Sequence, residues 1–138
     1  MEALLDRKIN DWLETLKKIR GLSENTLISY KNDFDKFICF LNQHLSSEVT
    51  VQELKKLSKS DFRSFLSDQR NKNINSTSIA RVISSLKSFF NFLLDEGEIE
   101  DSVIFTIKTP KLKKRLPRPR NSELAIQTIN NAVEIEKI

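Results

Sequence analysis

With two glycines and three prolines among 138 residues, the chain has few points for sharp turns, and its β-branched runs are short. That scarcity points to an all-α protein. Cysteine occurs once, at Cys39, which excludes an internal disulfide framework and a thiolate metal site. Set among Ile38, Phe40 and Leu41, its thiol is expected to be buried or half-buried and inert. Histidine also occurs once, and His44 has no Cys, Asp or second His at ligand spacing; a capping or solvated role is expected, with no metal and no cofactor. There is no glycine-rich phosphate loop and no nucleophile–base pair, so an enzyme acting alone finds no support. No apolar run is long enough to span a membrane, and the amphipathic, charged first twenty residues do not read as a signal peptide. The expected address is a reducing cytoplasm.

What is present is an ordinary globular composition, 38% hydrophobic and 30% charged, with a net charge of +4. This is enough chain for one domain with a real core, and it favours acidic partners only mildly. Apolar residues at Leu27, Tyr30, Phe34, Phe37, Ile38 and Leu41 define one face of a helix that Ser23 is placed to cap. Its other face offers Asn25, Ser29, Asn32 and Lys36. Before it, Glu2–Arg20 reads as a helix with Leu5, Ile9, Trp12, Leu13, Leu16 and Ile19 inward, stopped by Gly21. After it, Thr50 caps a short turn, and Ser58 with Asp61 forms a capping box for a helix carrying Phe62, Phe65 and Leu66 inward.

The helix from Ser76 to Asp95 repeats the pattern of the Ser23 helix. Ile79, Val82, Ile83, Leu86, Phe89, Phe90 and Leu93 make its apolar face, and Gly97 ends it. Thr77, Ser78, Arg81, Ser84, Ser85, Lys87, Ser88 and Asn91 make the other. Ser and Thr are mediocre helix formers, so a plain solvated face would be expected to use Glu and Lys. Small hydroxyls instead let a helix approach another surface closely and donate to phosphates. A short turn follows near Asp101–Phe105. Then Lys108–Arg120, KTPKLKKRLPRPR, gathers seven basic residues, no acid and every proline. The prolines forbid continuous helix, and a basic segment of this density is expected to lie on nucleic acid. The last stretch, with Leu124, Ile126, Ile129, Ala132 and Val133 on one side, reads as a final amphipathic helix.

In this order the motifs resemble one family. SENTLISYKNDFDKFICFL and STSIARVISSLKSFFNFL are similar to two helices of the N-terminal core-binding domain of tyrosine recombinases of the phage-integrase type. The pattern Pro-Lys-x-x-x-Arg-Leu-Pro at Pro110–Pro117 resembles the linker of the XerC/XerD branch. The resemblance implies a four- to five-helix SAM-like bundle over residues 1–107, a basic linker over 108–120, and the start of a catalytic domain over 121–138. It implies double-stranded DNA and other recombinase subunits as partners. The expected DNA contacts are Asn25, Thr26, Ser29, Lys31, Asn32, Lys36, Thr77, Ser78, Arg81, Ser84, Ser85, Lys87 and Ser88, with Lys111, Lys113, Lys114, Arg115, Arg118 and Arg120 from the linker. Strand cleavage through a phosphotyrosine would belong to a catalytic domain beyond this fragment, because Tyr30 lies on an apolar helical face without an Arg and His cluster. The competing expectation is a helical module that binds protein and not DNA.

Overall fold

A computed structural model describes residues 2–110, and the all-α expectation holds: five helices and one 3-10 turn, with no strand among the described residues. α1 spans Ala3–Lys18, α2 Glu24–His44, α3 Val51–Lys55, α4 Lys59–Asn71 and α5 Ser76–Asp95; the 3-10 turn is Val103–Thr106. The basic stretch from Lys111 to Arg120 and the final amphipathic segment lie outside the described residues.

Short polar side chains fix where the helices begin. The Ser23 hydroxyl accepts the Thr26 N–H at 3.2 Å, and Thr50 Oγ1 accepts that of Glu53 at 3.2 Å. Ser58 and Asp61 close a reciprocal capping box, each side chain accepting the other's backbone N–H. Asn75 caps α5 by accepting the Ser78 N–H at 2.8 Å. Each contact satisfies a donor that the first helical turn leaves without a partner. Glu2 does not cap its own helix; its carboxylate accepts the Val51 N–H at 2.9 Å and ties the start of α1 to α3. Glycine ends two helices. Gly97, at φ +77°, lets the Glu98 N–H turn back to the Leu93 carbonyl at 2.9 Å, and Gly21, at φ +65°, serves α1 in the same way.

The apolar faces meet in one core that all five helices and the 3-10 turn feed. Its centre is aromatic. Trp12 of α1 stands edge-on to Phe89 of α5, with Phe34 of α2 packed 4.3 Å from Phe89 between ring centroids. A second group, Phe37, Phe62, Phe65 and Phe90, joins α2, α4 and α5. Most inward residues read from periodicity are buried; Leu13, Leu27 and Tyr30 are half-buried at the edge of the core, and Ile19, read as inward, is 80% exposed because α1 ends before it at Lys18.

A further expectation fails at Cys39. The Cys39 thiol is exposed: its position on α2 rotates it away from the buried Phe34, Phe37 and Leu41 and onto a surface depression it shares with Ile38, Asn42 and Val49. His44 is exposed in the last turn of α2, as expected of a solvated side chain, but it is also paired. Its Nε2 lies 2.9 Å from Asp61 Oδ1 and its ring stacks on Phe40, joining the end of α2 to the start of α4.

That contact gives Asp61 a measurable signature. Burial alone would raise its pKa, but hydrogen bonds from the Ser58 backbone, His44 and the Ser58 hydroxyl outweigh it and hold the carboxyl below its ordinary 3.8. A depressed carboxyl contributes stability that is present above the unfolded pKa and lost as pH falls through the folded one. The melting-temperature difference between wild type and Asp61→Asn should therefore shrink as pH drops below about 4. A difference that stays constant down through the carboxylate range would contradict it.

Candidate nucleic-acid interface

α2 and α5, the two helices with short-polar outer faces, pack against each other along the core. The joint between those faces is an ion pair. Arg81 of α5 donates from Nε to Asp33 Oδ2 at 2.8 Å and from Nη2 to Oδ1 at 2.9 Å. Asp33 is 1% exposed, whereas the Arg81 side chain is 43% exposed. The paired carboxylate raises the Arg81 pKa above its already high ordinary value, so the guanidinium is a permanent cation. Beside it, burial and then the Asp33 charge push the Tyr30 phenol up, while the ring stacks on Trp12. That is the environment of a packing tyrosine; an activated nucleophile needs its pKa lowered.

Sequence reading missed Asp33. The available signal was its phase: three residues beyond Tyr30 and four before Phe37, it falls on the apolar side of α2, where an acid needs a partner. Arg81 holds the equivalent flank of α5.

Apart from Arg81, the expected contact residues on α2 and α5 sort into three groups. Asn25, Asn32, Lys36, Thr77 and Ser84 are exposed, with Ser29 and Ser78 half-exposed, and no side chain of these makes a hydrogen bond or ion pair among the described residues. Lys87 continues the Thr77–Ser84 face. It is half-buried without an acidic partner among the described residues, and that desolvation lowers its pKa. A nearby phosphate would act against that shift by favouring the charged form.

A second group is committed locally. Thr26 belongs to the Ser23 cap, its hydroxyl 3.0 Å from that of Ser23. Lys31 pairs with Asp35 at 3.0 Å one turn on, and it lines an apolar groove toward α1 with Leu13, Lys17, Leu27 and Ile28. Ser88 accepts the indole N–H of Trp12 at 3.0 Å, which ties α1 to α5.

The third group is Ser85 alone. It is 0% exposed and donates to the Val82 carbonyl at 2.7 Å. Where a larger residue would be expected to fill the core, the small hydroxyl satisfies itself within its own helix, so Ser85 offers nothing to a partner. The linker cations lie outside the described residues.

α5 has no acid before its last residue, Asp95. Among the described residues no cluster of His, Cys, Asp and Glu could hold a metal ion, and no helix is long and apolar enough to cross a membrane.

Comparison with known proteins agrees with this architecture. The family model for the phage integrase N-terminal SAM-like domain matches residues 9–97, from the middle of α1 to the glycine that ends α5. The tyrosine recombinase XerC of Rickettsia bellii (strain OSU 85-389) is 36% identical over 124 residues, 87% of this chain and 41% of the relative. XerC of Rickettsia conorii (strain ATCC VR-613 / Malish 7) is 31% identical over 134 residues, 97% of this chain and 44% of the relative. The chain thus spans less than half the length of the curated relatives it matches. No solved structure matches it. On the strength of a match that covers most of the helical bundle, the chain belongs to the family of phage integrase N-terminal SAM-like domains.

Proposed function

We propose that this chain is the DNA-holding part of a site-specific tyrosine recombinase, with strand cleavage carried out by a catalytic domain outside it. Double-stranded DNA is the principal partner, and α2 and α5 lie on it with their polar faces. The observation that carries this reading is the joined surface of Asn25, Ser29, Asn32 and Lys36 on α2 with Thr77, Arg81, Ser84 and Lys87 on α5, which the acid-free run of α5 keeps cationic. Hydroxyls and amides at those positions permit close approach and donate to phosphate, while the cations supply the attraction. Lys111, Lys113, Lys114, Arg115, Arg118 and Arg120 extend the same charge along the duplex.

The test pairs folding with binding. Ser84→Glu places a negative charge in the middle of the face and replaces a mediocre helix former by a better one, so thermal stability should hold or rise slightly. Binding to a generic duplex, followed across a salt series, should weaken at least tenfold. Wild type should show the linear log–log salt dependence of phosphate contacts, with about 0.9 counterions released per phosphate neutralised. Absence of salt-dependent binding by wild type would overturn the reading.

A second surface favours contact with another recombinase subunit. Ile28, 56% exposed, borders the apolar groove between α1 and α2, and Ile19, 80% exposed, follows α1. Such a contact is compatible with DNA on the α2–α5 face, because the groove opens on the other flank of α2.

A further inference from the structure

We infer that Asp33 is a positioning residue for DNA: it holds Arg81 so that the outward edge of the guanidinium is set to receive a phosphate. The inference rests on the DNA-holding reading above and adds to it an acid that charge counting would exclude from such a surface.

A guanidinium has five N–H donors in a rigid plane and can engage acceptors along more than one edge. Asp33 takes the inner edge, through Nε and Nη2, with both carboxylate oxygens used. The opposite edge, made by Nη1 and the second hydrogen of Nη2, has no partner among the described residues, and 43% of the side chain is open to solvent. That edge is itself a two-pronged fork of the shape that holds phosphate oxygens. Arginine left alone on a helix surface samples many rotamers and loses that freedom on binding. With its inner edge clamped to a carboxylate that is 1% exposed, Arg81 has lost it already. The clamp is also fixed in space, because Asp33 sits between Asn32 and the fully buried Phe34 on a helix packed along α5.

Two accounts of Asp33 predict opposite signs. By charge alone, Asp33→Asn removes an acid beside a polyanion and should tighten DNA binding. By positioning, Asn accepts only one of the two hydrogen bonds, the guanidinium swings free, and binding should weaken despite the extra positive charge. The experiment is duplex binding by fluorescence anisotropy across a salt series, with thermal melts of the same samples. Expected for Asp33→Asn is a loss of about tenfold, the scale of one charge-assisted hydrogen bond. Arg81→Lys keeps the charge and one contact to Asp33 but lacks the second edge, and it should show a loss of the same size. If Asp33→Asn does not melt cooperatively, the Arg81→Lys result decides alone. Wild-type binding with equal or tighter binding by the folded Asp33→Asn protein, or unchanged affinity in Arg81→Lys, would overturn the positioning role and leave the DNA-holding reading standing. Wild type without salt-dependent binding would overturn both.

Discussion

Phe34→Ala is expected to lose about 3–5 kcal/mol of stability, the range for removing a large aromatic side chain from a packed core. Phe34 is fully buried and makes ring contacts with Trp12, Phe37 and Phe89, so its removal opens a void that α1, α2 and α5 all line. These helices cannot collapse inward together, because Trp12 is held to Ser88 and Arg81 to Asp33. A domain of this size has roughly 5–15 kcal/mol in total, so the substitution removes a large fraction of it. Chemical denaturation measures the loss directly. A change under about 1 kcal/mol would mean that Phe34 does not occupy the centre of the core.

Arg81→Ala is the second large effect, and it arises from electrostatics. Asp33 is 1% exposed with the arginine in place, and truncating Arg81 leaves its carboxylate without a counter-charge. Breaking a buried pair from one side costs about 3–5 kcal/mol, because the remaining ion stays desolvated. Arg81 is itself part-exposed, so water screens some of its interaction, and about 2–4 kcal/mol is the expected loss here. The double substitution Asp33→Leu with Arg81→Met removes both charges and should recover most of that loss. Denaturant midpoints of the three proteins test both statements. If Arg81→Ala unfolds at the wild-type midpoint, the carboxylate reaches water without its partner.

Which features could be read from the sequence follows from how far each one reaches along the chain. The Ser23, Thr50 and Ser58 caps and the two glycine stops involve residues within a few positions of one another, and all were legible. The apolar stripes of α2 and α5 were legible because helical periodicity alone generates them. Single-helix reasoning fails where the answer depends on a neighbouring helix. Ser85 and Ser84 are adjacent in sequence, yet the side on which α2 approaches buries one and exposes the other. Ser88 reads as an open hydroxyl until Trp12, from a helix far earlier in the chain, arrives to donate to it. Asp33, His44 and Cys39 follow the same rule: each takes its role from the element packed against it, or from the lack of one. The candidate interface was therefore legible as two faces. The ion pair that joins them was not.

The placement of Trp12 also makes the domain its own optical reporter. It is the only tryptophan in the chain, it is 1% exposed, and its indole N–H is bonded where α1 meets α5. Indole emission shifts to longer wavelength when the ring meets water. Intrinsic fluorescence therefore registers the parting of α1 from α2 and α5 without any added dye. Far-ultraviolet circular dichroism, by contrast, averages over every helix. Coincidence of the two signals during unfolding would mean that α1 leaves with the rest of the bundle in one cooperative step. An earlier fluorescence change would identify α1 as a separately detaching unit.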